Sequence, residues 1–198
     1  MAEPRKKAAS RSMPGAAGDP AARTVSELLS VAELEASTAN YESAARTYRQ
    51  ALDLAQEPLD RARAHRGIGS CLEETGRWTE ALTAFEDAAQ AATQAGDSTE
   101  LGRIRVKQGK VHLQKGSLDT AVRFGTEALE LIDVAADPSH RGFALLLLGT
   151  VYNRSGDLSR SIEYFESALA AFKNAGDIRS LAKAYNNLGL TYKQRCQW

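Results

Sequence analysis

"FALLLLGTVYNRSG", residues 143–156, runs directly into "DLSRSIEYFESALAAFKNAGD", residues 157–177, and together they read as two helices and a reversal. In the second stretch Ile162, Phe165, Leu169 and Phe172 recur at three- and four-residue intervals, while Glu163, Glu166 and Lys173 fall on other faces. Gly156 and Asp157 divide the two stretches. Ahead of them, Asp137–Pro138 offers a capping carboxylate and then proline at the first helical position, where a missing N–H costs nothing. The unit is a helical hairpin.

It recurs along the chain. Gly69, Gly109, Gly149 and Gly189 are each 40 residues apart, and Gly76, Gly116 and Gly156 keep the same spacing. Ala81, Ala121 and Ser161 do so too, as do Ala88, Ala128 and Ala168, and the triplets at 95–97, 135–137 and 175–177 fall into step. Several independent columns in one register specify an internal repeat, so the fold is a stack of units that bury their apolar faces on one another. A glycine inside a helix costs roughly 1 kcal/mol against alanine. Its recurrence therefore predicts close approach of the partner helix at a point where a β-carbon would block it. Ala81 and Ala88 are expected to receive that approach, and Leu72, Tyr152 and Tyr192 to fill the space between neighbouring hairpins.

These residues resemble the tetratricopeptide repeat family, whose pattern is a large residue, Leu-Gly, an aromatic three further on, and later an Ala…Phe…Ala row. The fourth unit carries Leu145, Leu148, Gly149, Tyr152, Ser161, Phe165 and Ala168; the second carries His65, Ile68, Gly69, Leu72, Ala81, Phe85 and Ala88. The first is weaker, with Leu28, Val31, Ala32, Ala44, Tyr48 and Ala51, and stands 37 residues from the second. The third departs most: Arg105, Gln108 and His112 take positions that are apolar or aromatic elsewhere, and Gly125 replaces the phenylalanine, with Phe124 beside it. That unit is expected to pack less well or through a rotated face. The longer period and the phrase "NNLGLTY" are similar to a subgroup found in signalling scaffolds and bacterial regulatory proteins. The resemblance implies an all-α, right-handed α-solenoid of four hairpins plus one terminal helix. Residues 1–23 form a disordered N-terminal tail in this reading, being rich in Ala, Ser, Gly, Pro and basic residues without apolar periodicity. Residues 24–198 form the array, with repeats at about 24–58, 59–97, 98–137 and 138–177 and a half-repeat at 178–198.

Composition narrows the function classes. The 198 residues carry 25 Lys and Arg against 25 Asp and Glu, which gives no general basis for nucleic-acid or membrane-surface binding. The longest apolar run, Phe143 to Leu148, is far too short to span a bilayer, and no apolar stretch follows the basic N-terminus as a signal peptide requires. Cys71 and Cys196 match no metal spacing, and the expected location is cytoplasmic with reduced thiols. No phosphate loop, His-Glu-x-x-His or Gly-x-Ser-x-Gly is present. His65 and His112 fall on packing positions, His140 is expected in a solvated loop, and Cys71 reads as a small packing residue. The chain is therefore read as a non-enzyme, with no catalytic residue, cofactor or metal site.

A binding surface fits better. In the family, stacked hairpins line a concave groove with their first helices. Carried over by position, the candidate peptide-binding residues are Arg66, Arg103, Lys110, Phe143, Leu146, Thr150, Asn153, Lys183, Asn186, Leu190 and Lys193. The early part of the lining carries Glu33, Glu73 and Glu74; the later part carries Arg103, Lys107, Lys110, Arg154, Lys183 and Lys193. This gradient predicts a peptide or protein partner with apolar anchors near Phe143 and Leu146 and acidic residues on the basic side. The family's carboxylate clamp for chaperone tails is not matched, because the pairs Leu29/Glu33, Arg66/Ser70, Val106/Lys110 and Leu146/Thr150 do not supply its Lys and Asn. The first reading is thus a protein-interaction scaffold. The alternatives are a regulatory or sensor module of a larger bacterial signalling enzyme or transcription regulator, and a module that self-associates through its exposed C-terminal helix. "QRCQW", ending at Trp198, aligns with "ETGRW", ending at Trp78, just before a second helix begins. The expectation is a stretch of a longer array, or an array that another molecule completes.

Overall fold

The computed structural model describes residues 24–133 and 136–196, so the N-terminal tail of the sequence reading lies outside the described residues. Within them the chain is all helix: α1 (Val25–Ser37), α2 (Tyr41–Leu54), α3 (Pro58–Glu74), α4 (Trp78–Ala95), α5 (Ser98–Gln114), α6 (Leu118–Leu131), α7 (Pro138–Ser155), α8 (Leu158–Ala175) and α9 (Ile178–Cys196). Consecutive helices pack as antiparallel pairs. In addition α1 touches α3, α3 touches α5, α5 touches α7 and α7 touches α9, whereas α2, α4, α6 and α8 do not meet one another. The first helices therefore form one continuous layer and the second helices an outer one, which is an α-solenoid.

Local chemistry sets the ends of these helices. Thr24 and Glu27 form a reciprocal capping box on α1, and the side chains of Asp97, Asp137 and Asp157 accept backbone N–H groups in the first turns of α5, α7 and α8. Pro58 and Pro138 open α3 and α7. The reversals inside the second, third and fourth hairpins place Gly76, Gly116 and Gly156 at φ of 76°, 79° and 86°. That left-handed region is open to glycine without a steric cost.

Of the four repeat glycines, Gly69, Gly109 and Gly149 are sites of close approach and Gly189 has nothing within 4 Å; over Gly69 and Gly149 a ring makes the nearest contact. A β-carbon on Gly69 would lie 2.6 Å from the Phe85 ring, and one on Gly149 would lie 2.6 Å from Phe165. Ala81 and Ala88, on the same helix as Phe85, are fully buried. The third hairpin has no such ring. Over Gly109 the nearest atom is Leu147 Cδ2, and Gly125 stands against Leu148, so leucines of α7 fill the space left by the absent phenylalanine. Tyr152 stacks on Tyr164 within its own hairpin rather than between hairpins, with ring centroids 5.3 Å apart. One apolar cluster runs without a break from Leu28 to Val111. Beyond it the core divides into smaller clusters around Leu113–Val151, Ala128–Ala144, Leu145–Ala184 and Ile162–Leu188.

Candidate protein-binding surface

The first-helix layer begins with charge, and most of that charge is spent within the molecule. Arg66 on α3 holds the Glu100 carboxylate at 2.5 Å, and Glu100 is buried. Arg103 on α5 reaches Asp137, the cap of α7, at 2.5 Å and also contacts Glu100 at 3.4 Å. Burial works against charge on Arg103, yet the Asp137 and Glu100 carboxylates outweigh it and raise its pKa. The same contact, with two hydrogen bonds from His140, holds Asp137 below the usual carboxylate range despite burial. At the other end of α3, the buried Glu73 lies 2.7 Å from Lys110 Nζ and 3.6 Å from Lys107 Nζ. Lys110 Nζ also donates to Glu74 Oε1 at 3.2 Å, so charge and this hydrogen bond together hold the cluster. Burial pushes the Lys107 pKa down, and Glu73 only partly offsets it; in Lys110, Glu73 and Glu74 together overcome burial and raise it. Arg66, Arg103 and Lys110 thus act as ties between successive first helices.

Arg154 and Arg141 have a similar role that sequence position does not reveal. Arg154 Nη1 donates to the Leu113 carbonyl at the end of α5 (2.9 Å), and Arg141 Nη1 donates to the Leu129 carbonyl at the end of α6 (2.8 Å). Each guanidinium adds a hydrogen bond at a helix C-terminus, and at α5 it shares the Leu113 carbonyl with the Gly116 N–H.

Toward α7 and α9 the layer changes character. Phe143 and Leu146 are half-buried, Phe143 lying edge-on to Phe172 at 5.2 Å. Thr150 donates its hydroxyl to the Leu146 carbonyl, and the Asn153 amide bridges to Thr191 (3.0 Å) and Gln194 (2.7 Å) on α9. Lys183, Asn186, Leu190 and Lys193 are exposed, spaced along one stripe of α9. Neither lysine has an ion-pair partner among the described residues.

The histidines are structural in their surroundings. His65 is half-buried 3.9 Å from Asp87, and burial lowers its pKa against the pull of that carboxylate. His112 stacks on Phe124 with centroids 5.4 Å apart and its Nδ1 buried without a hydrogen-bond partner. His140 does not sit in a solvated loop: it belongs to the first turn of α7, where its ring Nδ1 is 2.9 Å from Asp137. Cys71 is buried and unpaired, as a packing residue would be. Among the described residues no cluster of His, Cys, Asp and Glu could hold a metal ion, and no helix is long and apolar enough to cross a membrane. A hollow of about 290 Å³ between α2 and α3, lined by Tyr41, Arg46, Arg49, Cys71 and Thr75, includes none of the candidate groove residues.

Family comparison agrees with the packing. A tetratricopeptide repeat family model matches residues 60–133 and 141–198, and a second matches residues 28–62. The chain belongs to the tetratricopeptide repeat family. No curated protein matches the sequence. Among solved structures it is similar to aspartyl phosphate phosphatase F from Bacillus subtilis, with a TM-score of 0.75, 15% identity, 84% of this chain covered and 45% of that one. A signal transduction ATPase with numerous domains and a tetratricopeptide repeat sensor, from Pyrococcus horikoshii, superposes with a TM-score of 0.73 at 19% identity, covering 86% of this chain and 26% of that one. BtubC from P. vanneervenii gives 0.70 at 21% identity, covering 85% of this chain and 72% of the other. At such identities the likeness is one of fold. The chain spans less than half the length of the phosphatase and of the ATPase.

Proposed function

We propose that this array is a protein-interaction scaffold that binds an acidic, partly apolar peptide or protein segment across the first-helix face of α7 and α9. The observation that carries the reading is the division of that face. Arg66, Arg103 and Lys110 are neutralised by Glu100, Asp137, Glu73 and Glu74, whereas Lys183 and Lys193 are exposed beside Leu190, with Phe143 and Leu146 on the adjoining helix. Exposed cations next to half-buried apolar side chains suit a partner whose acidic residues steer it and whose apolar residues anchor it. Panning a random peptide library on the full chain should enrich sequences with Asp or Glu beside Leu or Phe. The double variant Lys183→Glu/Lys193→Glu should weaken an enriched peptide about tenfold, equivalent to roughly 1.4 kcal/mol. Enrichment without acidic bias, or an unchanged affinity, would remove the proposal.

A second reading, a sensor or regulatory module of a larger signalling protein, draws support from the phosphatase and the repeat-bearing ATPase, in which a segment of this fold occupies 45% and 26% of the chain. In the first reading the array contributes recognition of a partner; in the second it regulates chemistry carried by the rest of the larger protein.

A further inference from the structure

A second stripe of α9, next to the proposed peptide face, repeats a surface that receives a ring twice elsewhere in the molecule. On α3 and α7 the stripe through Gly69 and Gly149 receives Phe85 of α4 and Phe165 of α8. Each phenylalanine follows a small residue by four positions (Ala81, Ser161) and precedes another by three (Ala88, Ala168), and all four small residues are fully buried. The Ser161 hydroxyl even donates to the Gly149 carbonyl at 2.9 Å. On α9 the same stripe carries Ile178, Ala182, Tyr185 and Gly189. Here Gly189 has nothing within 4 Å, Tyr185 is 59% exposed and Ile178 is 80% exposed. The buried side of α9, with Ser180, Ala184, Leu188 and Thr191, already faces the rest of the array, so this stripe is a separate surface.

We infer that the Ile178–Gly189 stripe of α9 is a docking slot for an acidic amphipathic helix of the pattern small–x3–phenylalanine–x2–small, with the phenyl ring seated over Gly189. Two observations select this occupant. The slot continues the glycine-to-ring contacts of the α3–α4 and α7–α8 pairs at the same register, 40 residues beyond Gly149. Charge is complementary as well: apart from the two lysines of the groove stripe, α9 carries Arg179 and Arg195, and it has no acidic residue. A second copy of α9 is a poor fit, because α9 contains no phenylalanine, and its own small pair at that spacing, Ala182 and Gly189, has Asn186 at the ring position. Within this chain the best imitation of the occupant is α4, whose 18 residues combine Ala81, Phe85 and Ala88 with Glu80, Glu86 and Asp87 and no basic side chain.

The probe is a fluorescein-labelled synthetic peptide of residues 77–96, titrated into the full chain and read by anisotropy. Saturable binding is expected, and it should be weakened at least about tenfold, roughly 1.4 kcal/mol, by Phe85→Ala in the peptide or by Gly189→Leu in the chain. Gly189→Leu replaces an exposed helical glycine with a better helix former, so circular dichroism should show a folded protein. A peptide of residues 157–176, with no net charge in its helix, should bind more weakly and with less salt dependence. The same Gly189→Leu variant should leave acidic-peptide binding at Lys183 and Lys193 intact, which keeps this slot distinct from the proposed groove. Absence of binding, or binding indifferent to Gly189→Leu, overturns the inference. So does a concentration-dependent dimer by light scattering that Gly189→Leu abolishes and the peptide cannot displace.

Discussion

The second and fourth hairpins hold their two helices together with their own residues, while the third borrows from its neighbour. Phe85 and Phe165 cover the glycine of the facing helix from inside the same hairpin. In the third, Gly125 stands at the phenylalanine position, and Leu147 and Leu148 of α7 reach across to Gly109 and Gly125. Phe124, one residue earlier, has its β-carbon beside Gly109 while its ring stacks on His112 of α5 and lies under Arg105 and Arg123. Every hairpin of a stacked array draws stability from itself and from its neighbours; one closed from within supplies more of its own, and one closed from outside depends more on its contact with the next. The break in the continuous core just beyond Val111 marks this change of dependence.

Removing the rings tests that contrast directly. Phe165→Ala should be the most damaging change, costing about 3–5 kcal/mol in urea unfolding, because a fully buried ring leaves a cavity between two helices that cannot collapse. Leu148→Ala should follow at roughly 2–5 kcal/mol, and its mark should lie elsewhere. Hydrogen exchange should rise in α5 and α6 as well as in α7, since Leu148 closes the third hairpin from the fourth. Phe124→Ala, which removes a half-buried ring, should cost the least of the three. Equal losses for Phe124 and Phe165, or exchange confined to α7 in Leu148→Ala, would refute the idea that the third hairpin is closed by its neighbour.

His112 offers a smaller change within the same hairpin. It occupies an aromatic position of the repeat with Nδ1 buried and unsatisfied, and its pKa is lowered by burial and by Lys115 and Arg123 nearby. The unfolded chain takes up this proton near pH 6.5, and the folded chain only at lower pH. Between those values the unfolded state holds more protons, so the stabilisation is complete above about pH 6.5 and is lost as pH falls through the folded pKa. His65 and His140 are shifted the same way, both chiefly by burial. His112→Phe should therefore raise stability by roughly 1 kcal/mol and flatten, without abolishing, the decline in urea midpoint between pH 7 and pH 5. A steeper decline would mean that His112 is protonated more readily in the folded protein than in the unfolded one.

The repeat was legible in the sequence because its columns concern packing, and packing needs the same sizes at the same register in every unit. Gly69 and Gly149 announced a close approach; what approaches was harder to read, since small residues and rings lie on the same face of α4 and α8. The charged residues were least legible. Arg66, Arg103 and Lys110 occupy groove positions by register, but what a long side chain does depends on a partner 34–37 residues away, such as Glu100, Asp137 or Glu73, rather than on its own position. Arg154 likewise read as a groove cation and proves to cap α5. Lys183 and Lys193, read as groove cations, are exposed and have no ion-pair partner among the described residues.

The first hairpin extends the comparison to the turn between its helices, and there the expected effect is smallest. The later hairpins use Gly76, Gly116 and Gly156 in the left-handed region, while the first places Ala39 there at φ 62°. An alanine in that conformation brings its β-carbon against the backbone, at a cost of about 1–2 kcal/mol. Glycine removes this clash but adds freedom to the unfolded chain, which returns part of the gain. Ala39→Gly should thus stabilise the protein by about 0.5–1 kcal/mol, read as a higher urea midpoint at constant slope. Gly76→Ala, the mirror experiment in the second hairpin, meets nothing within 4 Å and so isolates the backbone cost. Opposite shifts of similar size from the two variants would show that the turns are equivalent and that only their residues differ. A loss of stability in Ala39→Gly would mean that the alanine methyl contributes packing at the α1–α2 turn that outweighs its strain.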